Sequence, residues 1–381
     1  MQILITGREQ NLSIAEAESL FGDIQILNSQ AIATIQDASI DINRLGGAIK
    51  IARRFELLKD SDPERIIESC IKQVLVDSPQ TKFNFGISSY GNTKLNISKL
   101  GLTMKKELQS AGMKPRLVKG NEDNINAASI KHNKLATLGY EFLIVASSSG
   151  VHLARTIAAQ DVDNYSRRDY DKPCRDSKVG MLPPKLSQML INLTRPDSDT
   201  RIVDPFCGSG SLLIEASLMG LSTEGSDMSK KMIECTKANV EWFYSEYPKS
   251  TPISVSDAAD ATLREYPKSK YAVATEGYLG ENFSSQPTQT QLNEQIERLK
   301  ELYLNLFKHL QSQATTPSAV CVCIPFWHVN SHKIEIDIID DIVNLGYTKS
   351  EFKSVRSESL EYHREGQYTG RQILIFRNNQ E

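Results

Sequence analysis

The segment 203-VDPFCGSGSLLIEA-216 carries the strongest structural signal in the chain. An apolar run ends at Asp204, a short turn containing Gly208 and Gly210 follows, and a helical pattern then begins. Glycine permits unusual backbone torsion angles and lets a ligand approach the main chain closely. A helix that begins at such a turn points its N–H groups at that ligand. The segment therefore predicts a strand, a Gly-rich turn and a helix that together form part of a binding site.

From Thr200 onward, through this segment and beyond it, strands and helices alternate regularly. The predicted strands are RIVDPF, LSTEGSD, PISVSD, YAVATEG and SAVCVCIPFW, with YTKSEFKSV and RQILIFRN as a closing pair. Such alternation is typical of a doubly wound sheet, in which ligands bind beyond the carboxyl ends of the strands. We therefore predict an α/β fold with a Rossmann-like domain at residues 200–381, built on a mostly parallel sheet with an antiparallel final hairpin.

Residues 1–165 follow a different rhythm. Their helices and strands do not alternate one for one, which indicates a separate α+β domain. The polar segment 161-DVDNYSRRDYDKPCRDSKVG-180 then predicts a linker or an ordered loop. A helix follows in MLPPKLSQMLINL, where Pro183 and Pro184 suit the first turn. The predicted organisation is thus a domain at 1–165, a linker with a Pro-initiated helix at 166–199, and the Rossmann-like domain.

Composition excludes few classes of protein. The net charge of −3 over 381 residues neither favours nor excludes a nucleic-acid partner, since such binding needs only a local basic face. The six cysteines lack metal or disulfide spacing, so we expect reduced thiols, a cytoplasmic protein and no metal site. No apolar run approaches the ~20 residues that span a bilayer, and MQILITGREQ lacks the features of a signal peptide. A monomer or a small homo-oligomer is expected.

Acidic side chains stand at the ends of three consecutive predicted strands. Asp227 follows the second strand, where a carboxylate can hold ribose hydroxyls, and Asp257 follows the third, within reach of an adenine amino group, with Asp260 as an alternative. Aspartate is also common in turns and helix caps. Together with Asp204 and the Gly-rich turn, however, these residues fit an adenosine-containing ligand. Leu213 stands where a dehydrogenase fingerprint has its third glycine, which disfavours a nicotinamide cofactor.

DPFCGSGSLLIEA resembles the first motif of Rossmann-type S-adenosylmethionine-dependent methyltransferases, most of all the branch that modifies RNA bases and carries an N-terminal THUMP domain. RRDYDKPCRDSKVGMLPPKLSQMLINLT is similar to the segment before the catalytic domain of tRNA guanosine-N2 methyltransferases, and EYHREGQYTGRQILIF to their last hairpin. The resemblance is weaker over residues 1–165, which it implies to be a THUMP-like RNA-binding module. It implies S-adenosyl-L-methionine as cofactor, tRNA as partner and methylation of the exocyclic N2 of a guanosine.

The resemblance also implies which residues form the site. The implied cofactor-binding residues are Asp204, Pro205, Gly208, Gly210, Asp227, Met228, Asp257 and Ala258. The fourth-strand motif of the family is an acidic or amide residue, two prolines and an aromatic residue. In 271-YAVATEGYLG-280 the implied catalytic residues are instead Glu276, Gly277 and Tyr278.

This departure has a chemical consequence. The lone pair of an exocyclic amine is delocalised into the ring, so oxygens of the motif must orient the amine toward the methyl donor. Without the fixed φ of proline, other contacts must hold the loop. The altered motif leaves open a methyltransferase that acts on a DNA base or a protein, and a catalytically inactive RNA-binding homologue.

Basic residues outnumber acidic ones between Lys94 and Lys134, and a second basic group begins at Arg167. Phosphate contacts supply most sequence-independent affinity for RNA, although a run of charge is often only a solvated face. Aspartates interleave the second group, which favours internal pairing as much as phosphate contact. The predicted RNA-binding residues are Lys105, Lys106, Lys114, Arg116, Lys119, Arg167 and Arg168.

Overall fold

The computed structural model describes residues 1–34, 40–77, 82–120, 123–175, 181–257, 259–281, 283, 285–330 and 332–378. The chain divides into two compact units, Met1–Tyr165 and Ser166–Glu381.

The first unit is built on an eight-stranded sheet. Its strands are β1 (Gln2–Thr6), β2 (Ile24–Asn28), β3 (Ala31–Thr34), β4 (Ala48–Leu58), β5 (Lys82–Tyr90), β6 (Lys114–Leu117), β7 (Tyr140–Ser147) and β8 (Gly150–Ala159). They lie in the order β2-β3-β1-β4-β8-β7-β5-β6. Only β5 runs parallel to its neighbours, β6 and β7, among the pairs that the structure describes.

Helices cover this sheet without alternating one for one with its strands, in agreement with the predicted α+β character. They are α1 (Gln10–Phe21), α2 (Pro63–Asp77), α3 (Ile97–Ser110) and α4 (Ala127–His132), with a short 3-10 turn at Ile42–Arg44. On α3, Leu100, Met104 and Leu108 recur at helical spacing and are buried against Phe85 and Phe142 of the sheet. The assignment of this unit as a THUMP-like module stays a prediction.

The division between the units falls within helix α5 (Val162–Tyr170), in the segment that the sequence analysis assigned to a linker or loop. That assignment is wrong for these residues. The Asp161 carboxylate accepts a hydrogen bond from the backbone N–H of Asn164 (3.2 Å), as a helix cap does. Asp163 lies in the first turn and Arg167 in the last, where their charges complement the helix dipole. A helix without an apolar stripe gives little periodic signal, which is why the pattern missed it.

The second unit contains a nine-stranded sheet. Its strands are β9 (Arg201–Asp204), β10 (Thr223–Gly225), β11 (Ile253–Val255), β12 (Tyr271–Thr275), β13 (Val320–Val329), β14 (His332–Glu335), β15 (Tyr347–Lys349), β16 (Glu361–Tyr362) and β17 (Thr369–Asn378). Its main path is β11-β10-β9-β12-β13-β17-β15; β14 pairs with β13 and β16 with β17. The first five strands of that path are parallel, and β17 is antiparallel to β13 and β15. The predicted Rossmann-like sheet with an antiparallel final pair is confirmed.

Five helices belong wholly to this unit, within the part of the chain that the structure describes. They are α6 (Pro184–Leu193), α7 (Ser211–Leu218), α8 (Lys230–Glu246), α9 (Gln289–Ser312) and α10 (Ile339–Asn344), with a 3-10 turn at Ser357–Ser359. Pro184 opens α6 as predicted. A large core lies between α9 and the sheet, where Tyr303 and Phe307 pack with Val273 and Val322. The strand order reverses between β9 and β12, so the carboxyl ends of these two strands mark the place where ligands bind in such sheets.

Two of the six cysteines are not reduced, contrary to expectation. Cys174, which precedes α6, and Cys235 on α8 form a disulfide, with Cα atoms 5.3 Å apart. The two residues are separated by 61 positions, so sequence spacing could not reveal them. Cys70, Cys207, Cys321 and Cys323 are free and buried. Among the described residues, no helix is long and apolar enough to cross a membrane.

Candidate active site

A cavity of about 530 Å³ opens at the carboxyl ends of β9, β10 and β12. This volume suits a small-molecule ligand. The cavity is lined both by the Gly-rich turn and by the loop after β12, so the structure brings together segments about 70 residues apart. The residues singled out from the sequence that line it are Asp204, Pro205, Gly208, Asp227, Met228, Asp260, Glu276, Gly277 and Tyr278.

The two glycines of the first motif have different roles. Gly208 and Gly210 adopt φ values of +51° and +78°, which favour glycine. A Cβ at Gly210 would lie 2.8 Å from Cγ2 of Thr236, so this position also requires a small residue. Gly208 lines the cavity, whereas Gly210 precedes α7 and shapes the turn.

Asp204 is buried at the end of β9. Its Oδ1 accepts hydrogen bonds from the Thr275 hydroxyl (2.6 Å) and from the backbone N–H of Phe206 (3.1 Å). Burial outweighs these bonds and raises the pKa of Asp204 to about 7. The carboxyl group therefore titrates near neutral pH.

The second strand presents its aspartate as predicted. The Asp227 carboxylate accepts hydrogen bonds from the backbone N–H groups of Gly208 (3.1 Å) and Ser229 (2.8 Å) and lines the cavity. Met228 lies beside it with 76% of its surface exposed, so its apolar side chain can cover a ligand at the cavity rim.

The third strand presents a different aspartate from the one preferred. The Asp257 side chain is fully exposed, lies 3.4 Å from the Lys237 ammonium and is absent from the cavity wall. The prediction that Asp257 contacts the cofactor is therefore wrong. Strand β11 ends at Val255, and by residue 257 the chain has already turned. Asp260, the alternative, lines the cavity, and Ala258 lies outside the described residues.

The loop after β12 explains the missing prolines. Gly277 has a φ of +70°, which proline cannot adopt, and a Cβ there would lie 2.5 Å from the Tyr303 hydroxyl. That hydroxyl donates to the Tyr278 carbonyl (2.8 Å). Further along, the Gln295 side chain accepts from the backbone N–H of Glu281 (3.0 Å). Side chains of α9 thus supply the contacts that the altered motif requires.

Thr275 joins the two walls of the cavity. Its hydroxyl donates to Asp204 and accepts a hydrogen bond from the backbone N–H of Gly277 (3.0 Å). Thr275 was not predicted as a site residue, although a polar residue at the end of the apolar strand YAVAT was an available signal.

Glu276 is paired with a residue that the sequence did not indicate. Its Oε1 accepts a hydrogen bond from Nε of Arg371 on β17 (2.6 Å), and the two side chains are only 18% and 7% exposed. The Arg371 guanidinium also lies 5.6 Å from the centre of the Tyr362 ring, within range of a cation–π contact. The one available signal was a charged residue in the strand RQILIF, 95 positions away from Glu276.

Arg168 is not available for RNA. Its guanidinium donates two hydrogen bonds to the Glu215 carboxylate (2.6 and 3.1 Å), which also accepts one from Gln188 (2.9 Å). Arg168 is 4% exposed, so the prediction that it contacts RNA is wrong, and internal pairing is the outcome. Arg167 is exposed and lies 3.3 Å from Glu246.

Lys172 is a second buried cation behind the Gly-rich turn. Its ammonium group donates to the hydroxyl of Ser211 (2.5 Å), the first residue of α7. Burial lowers the pKa of Lys172 to about 8. No role was predicted for Lys172 from the sequence.

The other predicted RNA-binding residues lie on the first unit. Lys105 and Lys106 belong to α3, Lys114 and Arg116 to the edge strand β6, and Lys119 to the loop that follows it. All are exposed except Lys105, which is half-buried. Their contact with RNA stays a prediction.

Part of the chain is similar to a known family and to characterised proteins. Residues 174–304 match the family described as RMKL-like, methyltransferase domain. The chain is 30% identical over 150 residues to the tRNA (guanine(10)-N2)-dimethyltransferase of Methanothermobacter thermautotrophicus, covering 39% of this chain and 40% of that protein. It is 36% identical over 116 residues to the enzyme of the same name from Pyrococcus abyssi, covering 30% of this chain and 32% of that protein. The chain thus spans less than half the length of these relatives.

Among solved structures, TrmN from Thermus thermophilus is similar over 99% of both chains, with 15% identity and a TM-score of 0.49. The resemblance of the sequence to tRNA guanosine-N2 methyltransferases is confirmed by these two relatives.

Proposed function

We propose that the protein is an S-adenosylmethionine-dependent RNA methyltransferase that methylates the exocyclic N2 of a guanosine in tRNA. One observation carries the proposal: a single cavity is lined by both the Gly-rich turn and the loop Glu276–Tyr278. A methyl transfer needs the donor and the acceptor in one enclosed space, and this cavity adjoins the reversal of strand order. The relatives named as tRNA (guanine(10)-N2)-dimethyltransferases support tRNA as the substrate.

The residues present fit S-adenosylmethionine. The Asp227 carboxylate would hold the ribose hydroxyls, Met228 would cover the adenine ring, and Asp260 would accept from the adenine amino group. Gly208 leaves the backbone open to close approach, because no Cβ projects from it. When bound, the cofactor supplies a methyl group on a positively charged sulfur.

The remaining chemistry is mostly positioning. Glu276 would accept a hydrogen bond from the exocyclic amine and so orient its lone pair. Tyr278, 42% exposed at the cavity, would stack on the flipped base, a contact worth roughly 1–3 kcal/mol. Correct placement matters because a misplacement of about 1 Å can lower a rate on the order of a hundredfold. Cys207 is buried and its thiol pKa is raised by burial, which makes it unsuitable as a nucleophile.

The first unit would dock the RNA through phosphates, using Lys106, Lys114, Arg116 and Lys119. Structured RNA is recognised largely through its shape and backbone, which fits a role for exposed cations. The proposal places the protein in the cytoplasm, where tRNA and the methyl donor are found together.

The test is direct. Purified protein with S-adenosylmethionine and undermodified tRNA should yield N2-methylguanosine by nucleoside mass spectrometry, and Glu276→Ala should lower the rate at least about a hundredfold. Nucleosides of tRNA from cells with and without the gene should differ in the same product. Methyl transfer to DNA or protein alone would contradict the proposal. So would tRNA binding with a steep salt dependence but no methylation, the behaviour of an inactive homologue.

A further inference from the structure

We propose that Arg371 is a positioning residue, which holds one oxygen of Glu276 so that the other is kept for the amine of the substrate. This inference rests on the proposed function and deepens it. It explains how a glutamate can act in a loop where the family has a shorter acidic or amide side chain followed by prolines.

The contact between the two side chains is one-sided. Nε of Arg371 binds Oε1 of Glu276 at 2.6 Å, whereas Oε2 accepts no hydrogen bond from any residue that the structure describes. Glu276 lines the cavity, so Oε2 is the carboxylate oxygen left to receive a proton donor there. Charge-assisted bonds of this length are strong and directional, so they select one orientation of the carboxylate.

The longer side chain makes such a restraint necessary. Glutamate has one more rotatable bond than aspartate, so fixing its side chain in one conformation costs more conformational entropy. An ion pair formed before the substrate binds removes that entropy in advance, which is the general benefit of a preorganised site.

Arg371 is itself held by rigid elements. It lies within β17, where its backbone pairs with Pro325 of β13 on one side and Tyr362 of β16 on the other. Its guanidinium lies over the Tyr362 ring, and the residue is 5% exposed. Arg371 does not line the cavity within the described residues. It therefore acts on the substrate through Glu276 rather than by contact.

A double-mutant cycle tests this role. Single-turnover rates would be measured with saturating S-adenosylmethionine and undermodified tRNA for the wild type, Arg371→Ala, Glu276→Ala and the double variant. We expect Arg371→Ala to lower the rate 10- to 100-fold, on the order of the loss caused by a small misplacement. KM for tRNA should change less than about threefold, because the binding surface is intact. The double variant should be no slower than Glu276→Ala alone, since Arg371 acts only through that residue.

Two further variants separate positioning from folding. Arg371→Lys keeps the charge and should recover part of the rate lost in Arg371→Ala. Arg201→Ala is the matched control: Arg201 lies 3.3 Å from Glu224 at the other end of the sheet, and Glu224 keeps a second partner in Arg264. Its rate should stay within about twofold of the wild type, because neither Arg201 nor Glu224 is among the described residues that line the cavity. Binding of S-adenosylmethionine, measured by calorimetry, checks that each variant is folded; if Arg371→Ala is not, the cycle is run with Arg371→Lys.

The outcomes are distinct. Losses that multiply in the double variant, or an Arg371→Ala rate within twofold of the wild type, would overturn the positioning role and leave the proposed function standing. A wild-type protein that methylates no RNA would overturn both.

Discussion

The two units each bury an ion pair, and the two pairs differ in what surrounds them. In the first unit, Lys50 and Glu141 lie 2.6 Å apart and neither side chain is exposed. Both oxygens of Glu141 are occupied, because Ser88 binds Oε1 (2.5 Å) and Thr156 binds Oε2 (2.6 Å). In the second unit, Glu276 binds Arg371 through one oxygen, and its side chain is partly exposed to a cavity.

This difference distinguishes an ion pair that stabilises the fold from one that prepares a site for a ligand. A buried charge is tolerated when its partner and its remaining hydrogen bonds are supplied by the protein, as for Glu141. A carboxylate held on one side and open on the other keeps an acceptor for something from outside. The same pair of residue types can therefore close a core or prepare a site, and the second oxygen decides which.

The Lys50–Glu141 pair is a closed pair, because protein groups bind both carboxylate oxygens. Breaking it should have the largest effect on stability. Lys50→Ala leaves Glu141 buried without its counter-charge, and we expect the free energy of unfolding to fall by about 3–5 kcal/mol. Urea denaturation followed by circular dichroism measures this. Tryptophan fluorescence reports only on the second unit, because Trp242 and Trp327 both lie there. A loss below about 1 kcal/mol would contradict the structural role.

Asp204 extends the comparison to a carboxyl group with no cation bound to it in the described residues. Its pKa of about 7 when folded exceeds the ordinary value of 3.8, so the folded state retains the proton more strongly. Folding stability should therefore fall as pH rises from about 4 to 7, whereas Asp204→Asn lacks this decline. At pH 8 we expect the variant to be more stable by about 3–4 kcal/mol. Equal unfolding free energies of the two proteins at pH 5 and pH 8 would contradict this.

Arg168→Ala tests a closed pair in the second unit. Glu215 would keep its bond from Gln188 but lose both bonds from the guanidinium. A hydrogen bond to a charged group contributes about 1.5–3 kcal/mol, and the Lys172 ammonium remains near Glu215 as a positive charge, so we expect a total loss of about 1.5–3 kcal/mol in urea denaturation. The salt dependence of tRNA binding should not change, since the residue is buried. If the slope of log K for tRNA binding against log salt concentration fell by about one in this variant, Arg168 would be a phosphate contact after all.

The smallest effect on stability is expected for Glu276→Gln. Glutamine keeps an oxygen for Arg371, but the hydrogen bond loses the negative charge of its acceptor, so the unfolding free energy should fall by about 1 kcal/mol. Methylation should nevertheless fall, because that single oxygen cannot also serve the amine. Glu141→Gln makes the same change at the Lys50–Glu141 pair, where it leaves the Lys50 ammonium fully buried without a counter-charge, and should destabilise more. Equal losses of stability in Glu276→Gln and Glu141→Gln would contradict the proposed difference between the two ion pairs.

Local patterns predicted the parts of the fold that depend on neighbouring residues. The Gly-rich turn, the strand end at Asp204, the position of Asp227 shortly after β10 and the parallel order of the second unit follow from spacing and residue type. Asp257 was misjudged because the pattern could not show where the chain turns after β11. Gly277 was recognised as a departure, but only its positive φ explains why glycine is required.

Contacts between distant segments could not be predicted from the sequence. Glu276 and Arg371, Cys174 and Cys235, and Lys50 and Glu141 meet only once the sheets and helices have assembled. A charged residue inside an apolar strand is a usable hint that a partner exists. It does not identify the partner.

Among the described elements β17 comes last in the chain, so the ribosome makes it after all the others. The first unit has all its strands once residue 159 has been made. Arg371 follows more than 200 residues later, which corresponds to roughly 10–40 s of synthesis. During that interval the nascent chain can already expose the basic residues of its first unit, whereas Glu276 cannot yet form its ion pair with Arg371. A nascent chain that stalls before β17 would carry the surface proposed to bind RNA without the contact that prepares the site for chemistry.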